Sequence, residues 1–124
     1  MGGISIIAKR LKEARERAGD LSQEQLGLQA GINPSTASER MNQYERGVHS
    51  PDLLILTRIG AVLHVPLAYF YCEDDQLADL IRKFSALGTE QRKQLIDFLD
   101  GRYGRGPSDS QGSGEAGAVR EGDA

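Results

Sequence analysis

A chain of 124 residues with a formal net charge of −3, 27% charged residues and a single cysteine has the size and composition of one ordinary globular domain. There is no room for a second catalytic or ligand-sensing domain, the lone Cys72 excludes an internal disulfide and a multi-cysteine zinc site, and no apolar run approaches the roughly 18 residues of a membrane span. The first residues lack the basic start, apolar stretch and cleavage site of a secretory signal, so a cytoplasmic protein without membrane attachment is expected.

The negative total conceals an uneven distribution. Eight basic residues face seven acidic ones up to Tyr71, whereas seven face eleven beyond it. The acidity belongs to the C-terminal part, and the first part is free to gather positive charge on one face.

Ile7, Leu11, Ala14 and Ala18 recur at helical spacing with five basic residues beside them and Gly19 as a stop, which predicts a first helix. Ser22 followed by Gln25 is a capping-box spacing that opens a second helix running to about Ala30. Gly31 can end it in the left-handed conformation, and Asn33-Pro34 combines a cap with a first-turn proline, so a third helix is expected within three residues. Gly47 closes that helix. Ser50-Pro51 repeats the signal ahead of a fourth stripe, Leu53, Leu56, Ile59 and Leu63, and Pro66 opens a short fifth helix that buries Leu67 and Phe70. Beyond the acidic hinge at 73–75, Leu77, Leu80, Ile81, Phe84 and Leu87 form a sixth amphipathic stretch, and Leu95, Ile96, Phe98 and Leu99 a seventh after Gly88-Thr89. Nothing alternates with period two over a useful length. From Gly101 onward seven of twenty-four residues are glycine, and such a tail buries too little apolar surface to offset its ordering entropy.

Two helices joined by a short glycine-containing turn form the general helix-turn-helix arrangement, in which the second helix is held by the first and presents its outer face to a major groove. The ordered string here is longer than that spacing alone. Leu21-Ser22-Gln23-Glu24-Gln25-Leu26, Ala30-Gly31-Ile32-Asn33, Tyr44-Glu45-Arg46-Gly47, Ser50-Pro51 with Leu53, and then Leu56, Ile59, Leu63 and Val65 closely resemble the Cro and phage-repressor family, the xenobiotic-response-element-like regulators. The resemblance spans roughly residues 7–71. It implies an all-α fold with a five-helix DNA-binding domain over 4–71, to which the periodicity adds two C-terminal helices over 75–100, supporting dimerisation or packing on their own domain, and a disordered tail over 101–124. It also implies a non-enzymatic transcriptional regulator, commonly a homodimeric repressor on a double-stranded operator. An antitoxin or restriction-modification controller shares that fold, and a protein-interaction module that has lost DNA binding is the alternative from another class.

One departure concerns the third helix. The stretch from Gly31 to Gly47 is about four residues longer than the family pattern, roughly one extra helical turn. Since that adds only some 40° beyond a full rotation, Ala37, Met41 and Tyr44 still share a buried side. The opposite side then carries Ser35, Glu39, Asn42 and Arg46, flanked by Thr36, Ser38, Arg40 and Gln43. Amides such as Asn42 and Gln43 pair with adenine edges, Arg40 with guanine, Glu39 with the cytosine amine, and hydroxyls with bases or phosphates. The alternative for any such face is plain solvation. Gln23 matches the family position that contacts phosphate, which sets register without reading sequence. The resemblance also implies that Arg10 pairs with Glu45. The basic residues of the first helix read as a solvated face, and Gly27, where the family tends to have alanine, reads as a close approach of the third helix. His49 and His64 lie too far apart to suggest a metal site, no cofactor is expected, and no nucleophile elbow, phosphate-binding glycine loop or paired-carboxylate pattern is present.

Overall fold

The computed structural model describes residues 5–104, which form α1 (Ile6–Arg17), α2 (Gln23–Gln29), α3 (Ala37–Arg46), α4 (Leu53–Leu63), α5 (Leu67–Tyr71), α6 (Asp75–Ser85) and α7 (Thr89–Tyr103). No strand occurs among the described residues, so the all-α expectation holds.

Most helix starts follow from local chemistry. The Ser5 hydroxyl accepts from the Ala8 N–H at 3.1 Å and begins α1. At α2 the reciprocal box forms as the spacing predicts, with Ser22 Oγ accepting from Gln25 N at 3.0 Å and Gln25 Oε1 accepting from Ser22 N at 2.8 Å. Gly47 ends α3 at φ +75°, a conformation that a residue with a Cβ adopts only with strain.

Two starts differ from expectation. Asn33 does not cap α3; its carboxamide oxygen accepts from the backbone and the hydroxyl of Ser35, at 2.9 and 2.8 Å, and so folds 33–36 into a turn. The third helix consequently begins at Ala37, and Ser35 and Thr36 precede it. Asparagine competes for its own backbone two residues on, and here that local turn prevails. At α4 the cap is Asp52, not Ser50, because the Asp52 carboxylate reaches the Ile55 N–H at 2.9 Å. The helix therefore starts with Leu53 and Leu54 facing solvent, and Leu53, placed in the apolar stripe by its spacing, is 61% exposed. Ala18, the last residue of the α1 stripe, is exposed as well.

The core of the first unit, which ends at Ala86, is built from Leu11, Leu26, Met41, Leu56, Ile59 and Phe70, all fully buried, with Ala14, Ala37 and Tyr69 between them. Gly27 lets α2 and α3 approach: a Cβ there would lie 3.0 Å from both the Ala37 Cβ and the Met41 Cγ. That contact fixes the pair as the sequence predicts. Helix α6 adds Ala78 and Ile81 to the same core, and its first turn is tied to α1 by Lys9 and Arg10, which meet Asp75 Oδ1 at 2.9 and 3.0 Å. These cations hold the Asp75 carboxyl below the usual aspartate range, Lys9 contributing most.

In the second unit α7 runs through Gly101 to Tyr103, three residues into the stretch whose composition assigned it to the tail. The Gln91 side chain accepts from the Gly88 N–H at 3.0 Å and starts this helix. The rest of the expected tail lies outside the described residues. None of the described helices is long and apolar enough to cross a membrane, and no group of three or more metal-ligating side chains occurs among them.

Candidate nucleic-acid interface

The inner side of α3 is Ala37, Met41, Tyr44 and Glu45, all buried. Three of these are apolar and pack on α1 and α2. Glu45 is a carboxylate in the same layer, and its side chain is only 3% exposed. Such a charge needs partners, and it has three donors. Arg15 Nε reaches Glu45 Oε2 at 2.6 Å, Arg15 Nη2 reaches Oε1 at 3.1 Å, and Gln23 Nε2 reaches Oε1 at 3.0 Å. The forked guanidinium matches the planar carboxylate, and this bidentate bond holds Arg15 above its ordinary range. Arg15 Nη1 also donates to the Leu21 carbonyl at 3.0 Å, which fixes the loop ahead of α2.

Gln23 continues the chain of bonds outward. With its amide nitrogen on Glu45, its oxygen accepts from Asn42 Nδ2 at 3.4 Å. One connected set, Arg15, Glu45, Gln23 and Asn42, thus joins α1, α2 and α3, and sets the angle at which α3 leaves the body of the unit. What remains outward on α3 is polar. Ser38, Glu39, Arg40 and Arg46 are exposed, Asn42 and Gln43 are half-buried, and the two arginines have no ion-pair partner among the described residues.

A helix-turn-helix family model matches residues 11–70, from within α1 to α5. The crystal structure of the transcriptional regulator BswR is similar to this fold with a TM-score of 0.70, at 49% sequence identity over 76% of this chain and 92% of that one. The chain belongs to the Cro/repressor-type helix-turn-helix family. Members of this family are DNA-binding regulators of transcription and not enzymes. No curated protein sequence matches the chain.

Within this helix-turn-helix unit the nine residues singled out from the sequence fall into three groups. Ser38, Glu39, Arg40, Gln43 and Arg46 lie on the outer side or flanks of α3, and their side chains bond to no other side chain among the described residues. Ser35 and Thr36 sit in the turn before it and spend their hydroxyls locally, Ser35 on the Asn33 side chain at 2.8 Å and Thr36 on the Asn33 carbonyl at 3.3 Å. Gln23 and Asn42 are bonded to each other.

The expected Arg10–Glu45 pair does not form. Arg10 and Arg15 are five residues apart, about 140° around the helix, so they serve different neighbours. Arg15 faces α3 and takes Glu45. Arg10 faces the segment after α5, where its Nε donates to the Cys72 carbonyl at 2.8 Å and its Nη2 to the Glu73 carbonyl at 3.2 Å, while Nη1 donates to Glu13 of α1 itself at 3.1 Å. Its guanidinium also lies 6.0 Å from the centre of the Tyr69 ring. Sequence reasoning did not assign Arg15 to the site at all. The only local signal was its place on the α1 face that continues Ala8 and Leu11.

Proposed function

We propose that this protein is a sequence-specific transcriptional repressor that works as a homodimer in the cytoplasm and reads the major groove with α3. The observation that carries this reading is the outer face of α3, where Ser38, Glu39, Arg40, Gln43 and Arg46 present hydroxyl, carboxylate, amide and guanidinium groups and no large apolar side chain. A protein-docking helix places apolar or aromatic anchors at such a position. A DNA-reading helix needs the groups found here. BswR, similar over most of both chains, is a transcriptional regulator by its description, which supports the same class of function.

The roles divide by position. Arg40, Gln43 and Asn42 are assigned to base edges, Ser38 and Glu39 to bases or phosphates, and Arg46 to the flanking backbone. Ser35 and Thr36, in the turn just before α3, reach phosphate with their hydroxyls only by exchanging the Asn33 oxygens they now hold for phosphate oxygens. Gln23, half-buried at the start of α2, positions Asn42 and offers backbone contact.

The test begins with selection of bound duplexes from a random pool, followed by the same selection with Arg40, Asn42 and Gln43 replaced by alanine. Loss of a good bidentate contact costs about 1–3 kcal/mol and relaxes preference at the corresponding base pair. The triple variant is expected to lose the selected sequence while retaining weak, salt-sensitive binding. Unchanged affinity and unchanged preference would remove α3 from the reading role.

A further inference from the structure

The ends of three helices of the first unit line a cavity of about 260 Å³. Helix α1 ends there at Arg17, α4 at Leu63 and α6 at Ser85. Its apolar lining includes Ala14, Ala18, Val62, Val65 and Ala86, and its polar lining is entirely basic, namely Arg17, His64 and Arg82. No carboxylate lines it among the described residues. By contrast, the hollow beside α1 takes in Glu13, Glu16 and Glu45, and the groove along α6 takes in Asp74 and Asp79.

Both guanidinium groups can serve an anion. Arg17 is exposed and has no ion-pair partner among the described residues. Arg82 gives its Nη2 to Asp79 at 2.6 Å, but its Nε–H is shut off from water and has no acceptor among the described residues, which is unfavourable for a donor. Asp79 does not depend on Arg82, because its other oxygen holds Lys83 Nζ at 3.0 Å. The Arg82 fork can therefore turn to an entering carboxylate, bring Nε into a bond and leave Asp79 compensated. His64 stands beside them at φ +61°, the only positive-φ residue other than glycine among the described residues. Glycine fits such a helix cap without strain, so the strained position here carries an imidazole into the lining of the cavity.

Helix C-termini carry partial negative charge, and offsetting it is one use of these cations. It does not consume them. Each helix end amounts to roughly half a charge that falls off within a turn, and the carbonyls of Ala14, Gly60 and Lys83 already accept the N–H groups of Ala18, Val65 and Ala86. Two full positive charges beside an apolar wall remain. We infer that this cavity is a binding site for a small monocarboxylate, its apolar body against Val62, Val65 and the alanines and its carboxylate on Arg17 and Arg82. The volume lies a little below that of sites for drug-sized ligands and suits a body of about ten non-hydrogen atoms. None of the residues assigned to the DNA face lines the cavity. Binding is measured on the protein alone, so this inference stands or falls separately from the DNA reading.

Octanoate is the probe, with octylammonium and octanol as the same apolar body bearing the opposite charge or none. In proton–nitrogen correlation spectra of the full chain titrated to about 5 mM, octanoate should shift the amide signals of Arg17, Ala18, residues 62–65 and Ala86 saturably, with a dissociation constant below about 1 mM. Octylammonium should give no saturable shift, and octanol should bind about tenfold more weakly than octanoate. Arg17→Gln with Arg82→Gln should weaken octanoate by about tenfold or more, with an unchanged far-ultraviolet circular dichroism spectrum because neither side chain belongs to the core. Ala86→Leu, which fills the cavity without touching a charge, should weaken it as well. Octanoate that fails to saturate overturns the inference. So do octanol binding as tightly as octanoate, which reduces the cavity to an apolar surface, and a folded double arginine variant of unchanged affinity. Saturable shifts confined to the exposed apolar residues of α7 would place the ligand elsewhere and overturn it too.

Discussion

Burying a guanidinium costs several kcal/mol unless its donors are used, and Arg10, 1% exposed, uses them on two backbone carbonyls and two carboxylates. Glu13 links this set to Tyr69, whose hydroxyl donates to it at 3.2 Å, and burial followed by the Glu13 charge pushes the Tyr69 phenol up. Arg10 thus joins the end of α5 and the start of α6 to α1. Replacing it with alanine leaves the Cys72 and Glu73 carbonyls and the Glu13 carboxylate short of a donor, so Arg10→Ala should lower the unfolding free energy by about 3 kcal/mol. Urea denaturation monitored by circular dichroism would read this. A loss under about 1 kcal/mol would mean that water replaces the guanidinium without strain. The sequence reading set Arg10 beside the apolar stripe on a face read as solvated, and the family resemblance paired it with Glu45; its burial corrects the first and its partners the second. Choosing between Glu45 and the segment at 72–75 requires the angle between helices, which single-sequence periodicity does not contain.

Helix existence was readable because capping, periodicity and glycine stops act over three or four residues, as Ser22 with Gln25 and Gly47 illustrate. The start of α3 was misplaced for an equally local reason, since Asn33 has two competing uses and the turn through Ser35 was chosen over the cap. The approach of α4 to the segment after it was not anticipated at all. Gly60 lies inside α4, where a glycine costs about 1 kcal/mol against alanine by propensity alone. Its position explains the cost. A Cβ there would stand 2.6 Å from the Val65 carbonyl oxygen and 3.3 Å from the Phe70 ring. Backbone cannot yield as a flexible side chain does, and the Val65 N–H is itself bonded to the Gly60 carbonyl at 2.9 Å. Gly60→Ala should therefore destabilise the unit by about 1–3 kcal/mol despite its better helix propensity. Thermal melting would show it, and a raised melting temperature would indicate that the turn from α4 to α5 adjusts freely.

Net charge of −3 is a poor guide to the partner because the whole-chain sum mixes a nearly neutral helix-turn-helix region with an acidic C-terminal part. Function was therefore read from an ordered string of residues, and the family followed from it, while the identity of the base contacts depends on side-chain directions that the string does not fix. The charge on the proposed DNA face is small and concentrated. Arg40 and Arg46 are its two cations without an ion-pair partner among the described residues. With Arg46 of each copy of the proposed dimer on a phosphate, the binding constant should fall with salt with a log–log slope of about −2, modest beside that of strongly basic repressors. The two arginines should then separate. Arg46→Ala, acting on the backbone, should make the slope shallower by about 1 to 2 in the dimer and weaken all duplexes alike. Arg40→Ala, acting on a base, should change the slope less and relax preference at one position of each half-site. Titrations of the selected duplex and a scrambled one between about 50 and 200 mM salt would measure both quantities. If Arg46→Ala instead altered preference while leaving the slope unchanged, the two roles would be exchanged, and the C-terminal end of α3 would be the part that reads bases.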